Sequence, residues 1–482
     1  RTVYDNGSSP LDVTALTPRF TPKTYTFRNR VAYTQYFDQL SYGGLVNGYY
    51  QPVYNNYNYA AFYGYDVHGN VEQFLHHYKT GALNSFNSSH AFKVIHYQYD
   101  LISGKVNYVG YQPGLADELH HRYEYDAENR LTDVYTTHRK AFVGDRNVEE
   151  KEASYDYYAH GPLARTELGN NQVQGLDYAY TLQGWLKGVN STALNPAYDM
   201  GADGASASSA RDAMAFSLNY FMGDYKAINN PPAAPFAEAG SYIGGTNYKA
   251  LYNGNISHIT NSLQGLTTQL YNYRYDQLNR LVGMTAYNGF NHSSNSWSGL
   301  TATGLFGESI AYDANGNIRT YHRDGDQSGT PAMDRMSYHY TAGTNRLDHI
   351  TETVPSGNYA NDMENQSSGN YAYDDIGNLV QDNAEGITSI DWSVYGKIRQ
   401  ITRSGQPTIT YSYDAAGNRI SKTVGSQVTW YVRDAQGNTL STYAYDGTTM
   451  TAGEQYLYGS ARLGAFNRNL ALSSSLTLTK VT

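Results

Sequence analysis

The chain contains no cysteine in its 482 residues. Disulfide bonds, thiolate metal sites and a cysteine nucleophile are therefore excluded. Long hydrophobic runs are lacking as well, because no stretch of 18 consecutive apolar residues occurs. We therefore expect no membrane-spanning segment.

Charged residues are scarce, at 16% of the chain, and the formal net charge is -9. No basic stripe interrupts this acidic balance, so nucleic acid is not expected as a partner. The phosphate-binding pattern Gly-x-x-x-x-Gly-Lys-Ser/Thr does not occur, and neither does the nucleophile pattern Gly-x-Ser-x-Gly. These absences remove the commonest sequence signatures of nucleotide-binding proteins and serine hydrolases.

Tyrosine, in contrast, is abundant, with 50 tyrosines against 14 phenylalanines. A tyrosine side chain combines a flat apolar ring with a hydroxyl that can stay in water. This balance favours sheets with broad, half-solvated faces over a compact dry core.

The tyrosines recur in a cassette that is clearest from Tyr411 to Ile420. Tyr411 and Tyr413 are two residues apart and point to one face of a strand. Asp414 can cap a turn by accepting hydrogen bonds from backbone N–H groups two or three residues later. Gly417 offers a positive φ without steric cost. The cassette therefore predicts a strand, a tight turn and a second strand.

Seven acids carry this pattern, with Gly or Asn three residues later and Asn or Arg four residues later. The acids and their third following residues are Asp66 and Gly69, Asp126 and Asn129, Asp276 and Asn279, Asp313 and Gly316, Asp374 and Gly377, Asp414 and Gly417, and Asp434 and Gly437. The intervals between acids are 60, 150, 37, 61, 40 and 20 residues, mostly near multiples of about 20. Degenerate copies begin near Tyr155, Tyr178 and Tyr338. We interpret the repeated residues as a structural turn motif.

These cassettes resemble the YD repeats of rearrangement-hotspot (Rhs) proteins, which also occur in teneurins and insecticidal toxin complexes. The resemblance covers most of the chain, from about Tyr63 to Tyr458. The segments from Tyr158 to Arg165 and from Gly175 to Gly188 look like the version found in Bacteroidetes Rhs proteins. Near the end, Tyr456-Leu457-Tyr458-Gly459-Ser460-Ala461-Arg462-Leu463-Gly464 is similar to the segment that precedes the Rhs-associated core.

From the repeat we expect an all-β fold, a spiral of antiparallel hairpins in which stacked turns pair most strand edges. The resemblance implies that the spiral closes into a hollow shell or barrel-like cocoon. It also implies a non-catalytic shell that encapsulates or carries a C-terminal, toxin-like effector during export. The expected partners are that effector or cargo polypeptide, with secretion machinery or surface proteins. The expected location is secreted or on a bacterial cell surface.

We predict one elongated repeat unit. Residues 1–62 would form N-terminal repeat-like strands, and residues 63–465 the repeat shell. A flexible insertion is expected at about 190–260, marked by the small residues from Gly201 to Ala210. Residues 466–482 would be a tail leading to an Rhs-associated core or effector. The chain starts in repeat-like sequence without a signal-peptide layout, so we expect an internal piece of a longer protein.

Two chemical roles compete with turn capping for the repeated acids, namely acid–base catalysis and calcium binding. We favour capping, because every acid occupies the same point of a turn and one acid per turn supplies too few oxygens for calcium. The histidine pairs at 76–77 and 120–121 would point to opposite faces of a strand, and His90 and His96 lack an indicated carboxylate partner. We expect no catalytic residue, no metal and no cofactor. Rhs proteins that cleave themselves carry Asp-Pro-x-Gly elements, and this chain has no Asp-Pro dipeptide.

Two other functions remain open from the sequence. One is a cell-surface adhesion or recognition module, in which clusters of tyrosine could stack on glycans. The other is a glycan-active enzyme built on a β-solenoid, which would need two facing acids. Packing of the tyrosines against neighbouring turns of sheet is the default interpretation.

Overall fold

The structure is a computed structural model of the chain. It describes residues 2–4, 20, 30–37, 42–46, 49–52, 57–86, 88–145, 147–205, 208–227, 234–244, 247–360 and 362–472. The predicted tail therefore lies mostly outside the described residues, as does most of the proline run at 231–235.

The regular secondary structure of the described chain is almost entirely β, and the chain divides into two compact units. Unit 1 comprises residues 1–153 and 387–482, and unit 2 comprises residues 154–386. The helical elements are short: α1 is Ala82–Phe86, α2 is Gly240–Ile243, and single 3-10 turns lie at Ser88–Ala91 and Lys140–Phe142. None of the helices in the described ranges is long and apolar enough to cross a membrane.

The strands of unit 1 come from both ends of the chain. They are β1 (Thr2–Tyr4), β2 (Val31–Tyr36), β3 (Tyr42–Val46), β4 (Tyr49–Pro52), β5 (Tyr59–Tyr65), β6 (Val71–Tyr78), β7 (Phe92–Tyr99), β8 (Val106–Tyr111), β9 (Leu119–Tyr125), β10 (Leu131–Thr137), β26 (Ile387–Trp392), β27 (Ile398–Arg403), β28 (Ile409–Tyr413), β29 (Arg419–Val424), β30 (Gln427–Arg433), β31 (Thr439–Tyr445), β32 (Met450–Tyr458) and β33 (Arg462–Ala471).

Strand β11 (Glu150–Tyr157) contains the boundary between the units in the chain. The strands of unit 2 follow it: β12 (Leu163–Leu168), β13 (Gln174–Tyr180), β14 (Leu186–Val189), β15 (Met214–Asn219), β16 (His258–Leu263), β17 (Gln269–Tyr275), β18 (Leu281–Asn291), β19 (Ser296–Ala302), β20 (Glu308–Tyr312), β21 (Ile318–Asp324), β22 (Ala332–Tyr340), β23 (Leu347–Thr351), β24 (Tyr371–Tyr373) and β25 (Leu379–Asp382).

Strands pair antiparallel with their sequence neighbours through long stretches. Strands β5 to β10 form one such series in unit 1, and β26 to β33 form another. Strands β12 to β18 and β20 to β23 do the same in unit 2. The prediction of an all-β chain built from antiparallel hairpins is confirmed.

Unit 1 contains a large apolar interior to which both ends of the chain contribute. One buried cluster joins Tyr59, Phe74 and Ile95 from the early strands to Trp430 and Tyr443 from the late strands. A hydrogen bond also joins an early strand to a late strand, because the Tyr78 hydroxyl donates to Tyr431 O at 3.0 Å. Burial of large side chains from both series therefore holds the unit together.

The apolar interior of unit 2 is smaller. Its buried cluster contains Leu270, Tyr287 and Trp297 from the sheet, with Ala237, Ala239 and Ile243 from the segment around α2. Further along, the side chains of β20 to β25 are mostly half-buried or exposed on both faces. Little apolar surface is removed from water there, so hydrogen bonds and turn geometry must contribute a larger share of the stability of these strands.

Candidate functional site

The seven predicted acids all lie in turns of one design. At the first of them, Asp66 N–H donates to Asn70 O at 2.9 Å, and Gly69 N–H donates to Asp66 O at 3.2 Å. The same two backbone bonds close the turns that begin at Asp126, Asp276, Asp313, Asp374, Asp414 and Asp434. The predicted residues are thus distributed among separate turns and do not form one cluster.

Both carboxylate oxygens of each acid are used within its own turn. Asp374 Oδ1 accepts from the N–H groups of Ile376 and Asn378, at 3.1 and 2.8 Å. Its Oδ2 accepts from Asn378 Nδ2 at 2.9 Å. Where the fourth residue is arginine, Nε replaces the amide, as at Arg130 and Arg280. A carboxylate held this way is a turn cap with little capacity left for a substrate or an ion.

The residue three positions after the acid has a positive φ in all seven turns. The values are +97° at Gly69, +90° at Gly316, +97° at Gly377, +81° at Gly417, +96° at Gly437, +62° at Asn129 and +61° at Asn279. Glycine and asparagine are the residues that adopt this conformation at the lowest cost. Backbone geometry therefore explains why only these two types occupy the position.

The same turn shifts the pKa of its acid in opposite directions in different places. The amide of Asn317, and then backbone N–H groups, lower the pKa of Asp313 against the opposing effect of desolvation. Burial raises the pKa of Asp434, although Asn438 donates to it in the same way. The second turn also contacts an early strand of unit 1, because Ala435 N–H donates to the Tyr97 hydroxyl at 2.8 Å. The surroundings of each turn, and not its own hydrogen bonds, therefore decide whether the pKa of the acid is raised or lowered.

The tyrosine directly before the acid forms a second recurring contact, which we call the tyrosine latch. Its hydroxyl donates to the backbone carbonyl at or near the start of an adjacent strand. The pairs are Tyr65 with Val31, Tyr125 with Val106, Tyr275 with Ile256, Tyr312 with Leu281, Tyr373 with Leu347 and Tyr413 with Ile398, at 2.7 to 3.0 Å. Before Asp434 the position is Arg433, whose Nε donates to Arg419 O at 3.2 Å. Each latch ties one hairpin to its neighbour.

Sequence reasoning missed further copies of the turn. Ser393 N–H donates to Lys397 O at 2.7 Å, and Gly396 N–H donates to Ser393 O at 3.0 Å. Asp100 caps a similar turn with one extra residue before Lys105. The glycine spacing after Ser393 was the available signal, but this copy has neither the acid nor the preceding tyrosine of the others.

The paired candidate histidines at 76–77 and 120–121 are packed in the sheets of unit 1, and His90 is buried in the 3-10 turn Ser88–Ala91. Tyr57 and Tyr59 hydroxyls lie 2.8 and 2.5 Å from Nδ1 of His77 and His76. Burial lowers the pKa of both histidines to about 4. His120 is likewise buried, 2.8 Å from the Tyr108 hydroxyl. These rings are neutral hydrogen-bonding partners of tyrosine at neutral pH.

Two buried ion pairs also escaped the sequence analysis. In unit 1, Lys93 Nζ lies 3.1 Å from Asp117 Oδ2 and 3.8 Å from the centre of the Tyr443 ring. In unit 2, Lys187 Nζ lies 2.7 Å from Asp224 Oδ1. All four charged side chains are almost completely buried. A substrate has no access to either pair, so both are structural.

No family model matches the chain. Part of it is similar to the tRNA nuclease WapA of Bacillus subtilis strain 168, at 31% identity over 117 residues. A second relative, the tRNA3(Ser)-specific nuclease WapA of Bacillus spizizenii, is 31% identical over 126 residues. These matches cover 24% and 25% of this chain and 5% of each relative. The chain thus matches only a small part of the length of the curated relatives.

Solved structures show a wider but more distant likeness. A mutant Tc holotoxin pore of Photorhabdus luminescens aligns with a TM-score of 0.46 at 12% identity. The TcdB2–TccC3–Cdc42 crystal structure aligns with a TM-score of 0.47 at 13% identity. Both alignments cover 91% of this chain and 22% of the other chain.

Proposed function

We propose that this chain is part of an Rhs-type repeat shell, a non-catalytic wall that encloses or carries a C-terminal effector polypeptide during export. One observation carries the proposal: seven hairpin turns share the same backbone bonds, the same carboxylate cap and a latch to the neighbouring strand. Such uniformity suits a structure that extends by repetition.

Sequential pairing gives each inner strand of these series a partner on either side, so its backbone groups are not left as a free edge. Strand β6, for example, pairs with β5 on one side and β7 on the other. Free edges invite pairing with other polypeptides, including an unfolded cargo. A wall with paired strands and latched turns can therefore surround a polypeptide without recruiting it into the sheet.

Absence of catalysis in the wall is part of the proposal. The carboxylate oxygens of the repeated acids already accept hydrogen bonds from their own turns, as at Asp374. The tyrosine hydroxyls of the latches are likewise committed to backbone carbonyls. Chemistry would then reside in the cargo and not in this chain.

The relatives support a toxin-bearing protein. WapA of Bacillus subtilis is named as a tRNA nuclease, and this chain resembles only a short part of it. We infer that the resembling part belongs to the carrier and that an effector, for which a nuclease is one example, lies elsewhere in the protein. Export to the medium or the cell surface, with secretion machinery as a partner, follows from that role.

Cryo-electron microscopy of the full-length protein from its host, combined with limited proteolysis, tests the proposal. We expect a hollow density enclosing weak, unfolded density, and a C-terminal fragment that resists protease until denaturant is added. An open sheet with a protease-accessible C-terminal part would contradict it. Glycan-array binding that is lost in a Tyr395→Ala variant, where the ring is 86% exposed, would instead support the adhesion role.

A further inference from the structure

Three aspartates of unit 2 converge on one point. Asp177 lies on β13, and Asp199 and Asp203 lie in the segment between β14 and β15. One carboxylate oxygen from each lies within 4.8 Å of the others, and all three residues are buried. Calcium binds oxygens at about 2.3 to 2.6 Å, so oxygens on opposite sides of one ion lie about 5 Å apart. The spacing therefore fits one ion between the three groups.

The cluster carries more negative charge than its contacts neutralise. Arg165 donates from Nη1 to Asp177 and from Nη2 to Asp203, at 2.5 and 2.6 Å. The same guanidinium also donates to Glu167 at 3.1 Å. Asp212 is buried beside the cluster, and its carboxyl group lies close to that of Asp199. Four carboxylates, those of Glu167, Asp177, Asp199 and Asp203, therefore lie around one guanidinium, an arrangement that is costly away from water.

Two buried oxygens of the cluster have no hydrogen-bond partner. Asp199 Oδ1 and Asp203 Oδ2 are both inaccessible and unpartnered, although the other oxygen of each residue is bonded. Asp199 is 3% exposed and Asp203 is 1% exposed. Buried carboxylate oxygens are normally paired with donors or metals. These two oxygens are therefore the atoms to which a bound cation would be coordinated.

Glycines allow the acids to approach. A Cβ at Gly175 would lie 2.0 Å from Asp203 Oδ2, and a Cβ at Gly201 would lie 2.4 Å from Asp177 Oδ2. Both positions would clash with the cluster if they carried side chains. The same Cβ atoms would also clash with the Arg165 guanidinium, so the two glycines make room for the acids and for the arginine between them.

We propose that Asp177, Asp199 and Asp203, with Asp212 beside them, bind one calcium ion. The donors are all oxygen, which favours a hard cation, and an irregular loop suits the flexible coordination of calcium better than the strict octahedron of magnesium. The ion would fasten the segment between β14 and β15 to β13. This site is independent of the proposed carrier function.

Calorimetric titration of the EDTA-treated chain with calcium tests the site, together with thermal melting. We expect one calcium per chain and a melting temperature that rises with calcium concentration. The isosteric double variant Asp199→Asn/Asp203→Asn should lower calcium affinity at least about a hundredfold, because affinity follows ligand charge. Without calcium, this variant should melt at a higher temperature than the wild type, since two repelling charges are gone.

The matched control is Asp375→Asn/Asp391→Asn, which removes two exposed charges and should leave calcium affinity unchanged. If the first double variant does not fold, Asp212→Asn alone should weaken binding about tenfold. No binding by the folded wild type in millimolar calcium would overturn the proposal. So would unchanged affinity in the folded double variant, or binding of magnesium in preference to calcium.

Discussion

The interior of unit 1 and the strands β20 to β25 of unit 2 use one turn design in different surroundings. In unit 1, strand β5 is buried along most of its length, and late strands supply Trp430 and Tyr443 to the same core. In unit 2, strand β20 alternates between half-buried and exposed side chains. The turn therefore does not depend on a core.

The exposed strands are connected at their turns as well as along their ladders. Arg280 Nη1 donates to Asp313 O at 3.3 Å, and Asn317 Nδ2 donates to Asn345 Oδ1 at 2.9 Å. Arg346 Nη2 donates to Asp374 O at 3.2 Å. Successive turns thus contact one another in a row. Many modest polar contacts take the place of one apolar interior, and each should have a small individual effect.

The largest expected effect lies in the buried pair of unit 1. Asp117→Ala leaves Lys93 buried without its carboxylate and should lower the free energy of unfolding by about 3 to 5 kcal/mol. Urea denaturation followed by circular dichroism measures the change. Asp391→Ala is the control, because its pair with Arg399 is half exposed and should cost at most about 1 kcal/mol. If both substitutions lowered the free energy of unfolding equally, burial of an ion pair would make no difference to its contribution.

The next effect concerns the positive φ of Gly377, where a Cβ would meet no atom within 4 Å. Gly377→Val should destabilise the hairpin β24–β25 by about 1 to 3 kcal/mol through backbone strain alone. Amide hydrogen exchange of the hairpin measures it. Gly377→Asn should cost less, since Asn129 and Asn279 occupy the equivalent position. Gly357→Val is the control at an open glycine without positive φ; if it loosened the hairpin equally, strain would not be the cause.

A smaller effect is expected at the latches. Tyr373→Phe removes the hydrogen bond to Leu347 O and should cost about 0.5 to 1.5 kcal/mol, seen as faster amide exchange in β23 and β24. Tyr395→Phe, at a tyrosine that is 86% exposed, should leave exchange unchanged. Unchanged exchange in Tyr373→Phe would show that the latch contributes nothing to order in the exposed strands.

The smallest effect is the pH dependence of single turns. Asp313 should titrate below the value of about 3.9 for a free aspartate, and Asp434 above it. The cap at Asp313 then stabilises the fold above that pH and is lost as the pH falls through its lowered pKa. Ionisation of Asp434 has the opposite sign and costs stability as the pH rises through its raised pKa. Carboxyl ¹³C shifts, assigned with Asp313→Asn and Asp434→Asn variants, measure both, and titration in the same direction would contradict the comparison.

The fold class could be predicted because its determinants are local. Asp414, Gly417 and Asn418 specify their turn within five residues, so the pattern is visible in the sequence. The target of the Tyr413 hydroxyl could not be predicted, because Ile398 O reaches it only after the strands have paired. The turn at Ser393, in which Lys397 N–H donates to Ser393 Oγ, was missed because it has neither the acid nor the preceding tyrosine that mark the other copies.

Contacts between distant residues escaped prediction for a related reason. Lys93, Asp117 and Tyr443 meet across 24 and 326 residues, and nothing in the local sequence of any of them indicates a partner. Two acids of the proposed calcium site, Asp199 and Asp203, lie in the stretch at 190–260 that was expected to be flexible. Asp199 and Asp203, with glycines between and after them, were the available signal, but only the structure brings Asp177 to them.

The pairing of most strands with their sequence neighbours has a consequence for how the chain acquires its structure. Hairpins close through short loops, so each can form as soon as its own residues leave the ribosome or a translocation channel. Contacts such as His76 Nε2 with Arg433 O, 357 residues apart, must wait for the last strands. Assembly of unit 1 is therefore completed only when the strands from β26 to β33 have been added.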